Sequence, residues 1–294
     1  MEAAIYLSLG TMVVLISVLI LALRYVMIIT SVKEKMSVRN AFSILCISQL
    51  ASFLSPFKLS NFVARPVITK AVSQIKIKKA FMVSAFEQVF DIAWQLILVI
   101  ALLVLLGERS IVNNMQLEIV LVAVLLIFSV FFVKKYKTFI RIMWRIKPYM
   151  PKRLKKYGKK MGLGKKEVEK TLKQSLQNML NWKLIFQVSV PTASIIILMP
   201  VVIQLCGLSF ATPLSYIAAF FIYWIPQIIG KFSGIPAGFV AKDLSMVGIL
   251  VFLGHDVVVA GQILLFYRLA TMLPYIILGS ILSVYYTKIG LRKK

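Results

Sequence analysis

The chain has 294 residues, 60% of them hydrophobic, with a mean hydropathy of +0.88 and a formal charge of +25. Such hydropathy excludes an ordinary soluble globule, and the charge, gathered beside apolar runs, reads as a membrane-topology signal that excludes nucleic acid as a partner. Several apolar runs approach or exceed the roughly 20 residues that cross about 30 Å of hydrocarbon. The expected fold is therefore all-α, a polytopic integral membrane protein of about six full spans plus two broken or re-entrant segments in a pseudo-repeat.

The first expected span runs from about residue 4 to 29 and lacks the basic start and small-residue cleavage site of a signal peptide, so it is read as retained. Residues 41–79 do not fit a plain span: a half-length apolar helix ends near Leu54, runs into "SPFKLSNFVARP" and continues as a basic amphipathic stretch. Spans follow near 80–106 and 117–133. Between Lys134 and Lys173 stand sixteen Lys or Arg and only two acids, Glu167 and Glu169, which places this connector in the cytoplasm. Its "KKYKTFIRIMWRIKPYM" interleaves Phe139, Ile142, Trp144 and Ile146 with cations, the pattern of a helix lying against anionic headgroups.

Spans near 184–206 and 212–229 precede a second irregular region, 230–256. It holds "SGIPAGFVAKD" and an apolar half-helix from Leu244 to Leu253, too short to cross alone. The last span covers about 257–287. One domain, 1–294, is expected, with a first half of about 1–133, the connector 134–183 and a second half of about 184–294. No stretch is left for a soluble catalytic domain of about 100 residues, and no nucleophile–base pair is evident, so an enzyme is not expected. Cys46 and Cys206 both lie in apolar segments and His255 has no second ligand nearby, so neither a metal nor another cofactor is expected.

Gly/Pro-interrupted apolar segments in corresponding positions of two halves point to a transporter binding site. Laying Pro56 on Pro236 superposes Ala80 on Ala260 and Phe86 on Phe266, and brings Glu87 within one position of Arg268. The charges leave open whether the halves are parallel or inverted.

Glu87 and Asp91 stand four residues apart on one helix face, roughly 10 and 16 Å along their span, and Arg268 lies roughly 16 Å along the last. An ionisable group at that depth costs at least about 2.5–3.5 kcal/mol unless it finds a partner or a polar cavity. An ion pair of Glu87 or Asp91 with Arg268 is one expectation; the acid left over favours a second cation, a proton or a substrate group. The breaks supply donors for a phosphate: freed amides around Gly234, Pro236 and Gly238, with Lys58, Asn61, Arg65 and Lys242. Asp243 either faces the cavity or caps a helix beginning near Leu244.

These motifs resemble, in order, those of the lysylphosphatidylglycerol synthase transmembrane-region family, a flippase-like domain. "IPAGFVAKD" is similar to its P-G-G-L-G-x-x-E signature, with Pro236, Gly238 and Asp243 matching and Ala237 and Val240 standing for glycines. "PFKLSN", "EQVFD" and "FYRLATMLP" resemble its earlier proline motif, its paired acids and the arginine of its last long helix, with Lys58 in place of arginine and Ser60–Asn61 in place of Gly-Glu. The resemblance implies a divergent member without the soluble aminoacyl-transferase domain, residing in the cell membrane. It would move a phospholipid or a polyprenyl-phosphate-linked sugar between leaflets. The implied partners are that lipid and anionic headgroups at segment 134–173, and an oligomer remains open. Two other readings stand beside it: a proton- or ion-coupled carrier of a small anion with Glu87 and Asp91 as relay, and a non-transporting partner that recruits a lipid or glycan enzyme through the basic connector.

Overall fold

The computed structural model describes residues 2–54, 60–107, 181–232 and 239–292. Every regular element among them is an α-helix: α1 Glu2–Ser31, α2 Val38–Leu54, α3 Ser60–Ser73, α4 Ile77–Gly107, α5 Trp182–Leu208, α6 Tyr216–Phe232, α7 Phe239–Phe252 and α8 Val257–Arg292. The expected span 117–133, the connector to residue 180, and Lys58, Gly234, Pro236 and Gly238 lie outside the described residues. One compact unit comprises Met1–Gln88 and Ser175–Lys294, and a second comprises Val89–Gln174. The second is represented here by the continuation of α4, where the rings of Phe90 and Trp94 lie 6.4 Å apart.

Among the described residues four helices are long and apolar enough to cross a membrane, Glu2–Ser31, Ile77–Val99, Trp182–Leu208 and Val257–Lys288, and Tyr216–Gly230 is a shorter apolar one. In α1, Ile5, Leu9, Met12, Ile16, Leu19, Leu23 and Met27 recur every three or four residues on the exposed side, while Val14, Val18, Ala22, Tyr25, Ile28 and Ile29 are buried. A helix greasy on both faces is suited to lipid outside and protein inside, whereas a soluble bundle would charge the outer face. The chain is a membrane protein.

Contacts between helices fix their directions. Arg24 of α1 reaches Thr192 of α5, and Gly10 packs against Val202, so α5 runs antiparallel to α1. On α8, Ala270 lies at the level of Gly10 and Val202, while Phe266 stacks on Phe210 beyond the end of α5, so α8 runs back against α5. At the other end, Lys79 at the start of α4 bonds the Val32 carbonyl and Glu34 after α1, and Tyr286 near the end of α8 bonds Asn40 at the start of α2. The pair α2–α3 thus begins and ends at one end of the unit. The pair α6–α7 begins and ends at the opposite one. Both irregular regions are re-entrant hairpins entering from opposite sides.

The internal repeat is present in the backbone and is inverted. Helices α1 to α4 start at residues 2, 38, 60 and 77 and recur as α5 to α8 at 182, 216, 239 and 257, a displacement of 178–180 positions each time. The described residues with left-handed φ follow the same rule: Lys33 (58°) recurs as Ala211 (52°) after the first helix, and Gln74 (58°) as Gly254 (90°) after the third. Such residues end helices by freeing the chain to turn. Because α1 and α5 are antiparallel, the halves are related by inversion, which the charges left undecided.

Three local features hold this frame. Pro200 cannot donate to the carbonyl of Ile196, and the Trp224 indole of α6 takes that carbonyl at 3.1 Å. Gly207 is required by the turn after α5: a Cβ there would meet the Thr212 carbonyl at 2.5 Å. At Gly279 a Cβ would meet the Cys46 carbonyl at 2.9 Å, so α8 and α2 touch backbone to backbone.

Candidate functional site

Each hairpin is pinned to the long helix after it by an ion pair inside the apolar layer. In the first half the cation is on the short helix and the anion on the long one: Arg65 of α3 with Glu87 of α4. In the second half the signs are exchanged, Asp243 of α7 with Arg268 of α8. At 1.5 Å per residue, Glu87 lies about 15 Å from the start of α4 and Arg268 about 16 Å from the start of α8. Each pair is therefore deep in the membrane, counted from opposite sides.

The first cluster joins five helices. Glu87 is 1% exposed and accepts from Arg24 Nη2 at 2.7 Å through Oε1 and from Arg65 Nη1 through Oε2. Arg24 Nη1 donates to Thr192 Oγ1 at 3.0 Å, and Arg65 Nε donates to Ser48 Oγ at 3.3 Å. Thr69 sends its hydroxyl proton to the Arg65 carbonyl at 2.7 Å, so the Tyr25 hydroxyl is the donor in the 2.9 Å Tyr25–Thr69 bond. One carboxylate thereby fixes two guanidiniums, and one threonine carries the link into the second half.

The second cluster is looser. The Arg268 side chain is 40% exposed and that of Asp243 is 14%. Beside them Lys242 Nζ donates to Tyr267 Oη at 2.9 Å and sits 4.8 Å from the centre of the same ring. Gln227 Nε2 donates to that oxygen as well, at 3.2 Å, and the Tyr223 ring lies edge-on to Tyr267 at 6.0 Å. Thr271 back-bonds to the Tyr267 carbonyl at 2.7 Å, holding the helix around the tyrosine.

The sequence expectations fall out as follows. Arg65 and Glu87 meet, and so do Asp243 and Arg268; of the two acids expected for Arg268, Glu87 is instead taken by Arg24 and Arg65, because the first hairpin supplies a nearer counter-ion. Asp243 does not cap a helix starting near Leu244, since α7 already begins at Phe239 and the carboxylate is turned to Arg268. Asn61 lies in the first turn of α3. Asp91 follows Glu87 by one turn of α4 and is half-buried, in the second compact unit. His255 and Asp256 stand at a turn as expected, with Asp256 capping α8 by accepting from Val258 N at 2.7 Å. No metal-ligating cluster occurs among the described residues.

Sequence reasoning missed Arg24, one of the two arginines that hold Glu87. Its signal was available: a lone arginine among apolar residues in "LILALRYVMII" is the intramembrane charge by which Arg268 was found. It also missed Thr192, Ser48, Tyr267 and Gln227, uncharged groups with no pattern of their own.

The family model described as the lysylphosphatidylglycerol synthase TM region matches residues 2–279, spanning both halves of the repeat and both ion-pair clusters. No curated protein and no solved structure matches the chain.

Proposed function

The chain belongs to the lysylphosphatidylglycerol synthase TM-region family, and from that premise we propose that it is a lipid translocase of the cell membrane, not an enzyme, moving a phospholipid or polyprenyl-phosphate-linked sugar between leaflets. The observation that carries this reading is the inverted pair of re-entrant hairpins, each fastened to its following helix by a buried ion pair. An inverted repeat gives two arrangements of nearly equal energy, one open to each side, and the two ion pairs lie about 15–16 Å along their long helices, at a depth a headgroup must pass. Cations at Arg65, Lys242 and Arg268 would provide the charges for a phosphate while the tails stay in lipid, with Lys58 and the amides of the breaks expected to add donors. Anionic headgroups would settle on the basic connector.

The ion-coupled carrier is disfavoured at Glu87. Both of its carboxylate oxygens are already engaged by guanidiniums, Oε1 by Arg24 and Oε2 by Arg65. Recruitment through the connector leaves the buried clusters without a role.

The test is reconstitution into vesicles carrying a fluorescent phosphatidylglycerol in both leaflets, with a membrane-impermeant quencher added outside. Wild-type protein should let quenching pass well beyond the outer leaflet, and Arg268→Gln should confine it there. Protection of the inner leaflet with folded wild-type protein would overturn the reading for this headgroup, and identical quenching by Arg268→Gln would remove that arginine from it.

A further inference from the structure

The two halves differ in how their cations are balanced. Arg24 and Arg65 share Glu87 and Arg268 meets Asp243, so each of these guanidiniums already faces a carboxylate. Lys242 is different. Its ammonium is held by the Tyr267 hydroxyl oxygen and ring, both uncharged, and no carboxylate among the described residues lies within ion-pair distance of it. A half-buried ammonium in an apolar layer without an anion is costly, and the cost is recovered when an anion arrives.

The neighbours of Lys242 are arranged to leave it ready for such an anion. Tyr267 is 3% exposed and its position is fixed by Gln227 on α6 and by the backbone bond of Thr271. Gln227 and Lys242 both donate to Tyr267 Oη. The tyrosine thus orients the lysine while taking up no charge, and the ammonium retains donors for a second acceptor. The adjacent Arg268–Asp243 pair adds a guanidinium whose charge is already met.

Resting on the transport reading, we propose that Lys242 is the subsite for the substrate's phosphate, positioned by Tyr267 and Gln227, and that it selects a singly charged phosphodiester over a phosphomonoester or a pyrophosphate. One uncompensated positive charge is closed by one negative charge. A phosphomonoester, whose second ionisation falls at about pH 6, brings close to two, and a pyrophosphate brings more, leaving negative charge unpaired where the dielectric is low. A glycerophospholipid diester and a polyprenyl-phosphate sugar both fit; a polyprenyl-pyrophosphate sugar does not.

The experiment is native mass spectrometry of the full chain in detergent near neutral pH, titrated with phosphatidylglycerol, with phosphatidic acid of the same acyl chains, and with inorganic phosphate as competitor. Wild type is expected to retain phosphatidylglycerol about tenfold better than phosphatidic acid and to keep it when millimolar inorganic phosphate is added. Lys242→Gln should weaken retention by about tenfold to a hundredfold, the loss of one charge-assisted hydrogen bond to an anion. Tyr267→Phe should weaken it by a few-fold, about what one neutral hydrogen bond contributes, and Lys242→Arg should restore it. Thermal unfolding of each variant separates lost binding from lost fold. Equal retention by a folded Lys242→Gln protein, equal or better retention of phosphatidic acid, or displacement by inorganic phosphate would each overturn the assignment. Wild type that holds neither lipid would instead overturn the transport reading from which it starts.

Discussion

Glu87 Oε1 and Arg24 Nη2 lie 2.7 Å apart although 63 residues separate them in sequence, and both side chains are almost wholly buried. With Arg65 on the other carboxylate oxygen and Thr192 on the other amino group of Arg24, the bond ties α1, α3, α4 and α5 at one point. Breaking it leaves buried charge without its counter-ion, which costs more than the intact pair gains.

Glu87→Gln should therefore destabilise the protein by about 3–5 kcal/mol. Removing Arg24 as well should cost less than the two single losses together, with a coupling of about 0.5–3 kcal/mol. Thermal unfolding in one detergent, across the four proteins of the cycle, measures both; additive losses would mean the pair is not energetically joined.

The exchanged signs of the second pair allow a reversal test. Asp243→Arg and Arg268→Asp should each abolish lipid movement by juxtaposing like charges, and the double variant should recover part of it. Recovery in the vesicle assay checks the pairing directly; a double variant as inactive as the singles would show that the arginine serves by its position.

Gly279 admits no side chain. Its absent Cβ would lie 2.9 Å from the Cys46 carbonyl and from Leu50 Cβ, so Gly279→Ala should force α8 and α2 apart at a cost of about 1–3 kcal/mol, and Gly279→Leu more. Gly261, whose Cβ would meet nothing, is the control: alanine there should leave the unfolding temperature unchanged or raise it.

Pro200 and Trp224 are linked through one carbonyl. Trp224→Phe leaves the Ile196 oxygen buried without a donor and should cost about 1–3 kcal/mol. In a Pro200→Ala background the helix itself can donate to that oxygen, so the same substitution should cost less. Equal costs in both backgrounds would mean the indole contributes by packing alone.

The hairpins predict a labelling pattern. With Cys46 and Cys206 replaced by serine, single cysteines at Ser37 and Ser73 should react with an impermeant maleimide from one side, and those at Ser209 and Gly254 from the other. Reaction of Ser37→Cys and Ser73→Cys from opposite sides would make the first irregular region a crossing.

Much of this was legible in the chain itself. Element type and length follow from apolar runs measured against the hydrocarbon thickness, a local comparison: the first expected span, 4–29, and the last, 257–287, appear as Glu2–Ser31 and Val257–Arg292. The breaks were legible because proline and glycine interrupt runs that lipid would otherwise require to be continuous. Glu87, Asp243 and Arg268 stood out because charge in an apolar run demands a partner. Arg24 demanded one equally, and was passed over because the run around it is long enough to be read as a simple span.

The partners themselves belonged to the tertiary structure. Nothing local in the sequence relates Arg24 to Thr192 across 168 positions, or separates Arg65 from Arg268 as the ion for Glu87. An ion pair is decided by a few ångströms in space, and helix directions set those distances. The antiparallel packing of α1 on α5 brings Arg24 level with Thr192 and makes the repeat inverted, while the packing of α7 on α8 leaves Lys242 facing a tyrosine instead of an acid. Composition and spacing determined that this chain crosses a membrane with charges inside it; only the packing of helices within each half decided which charges are satisfied.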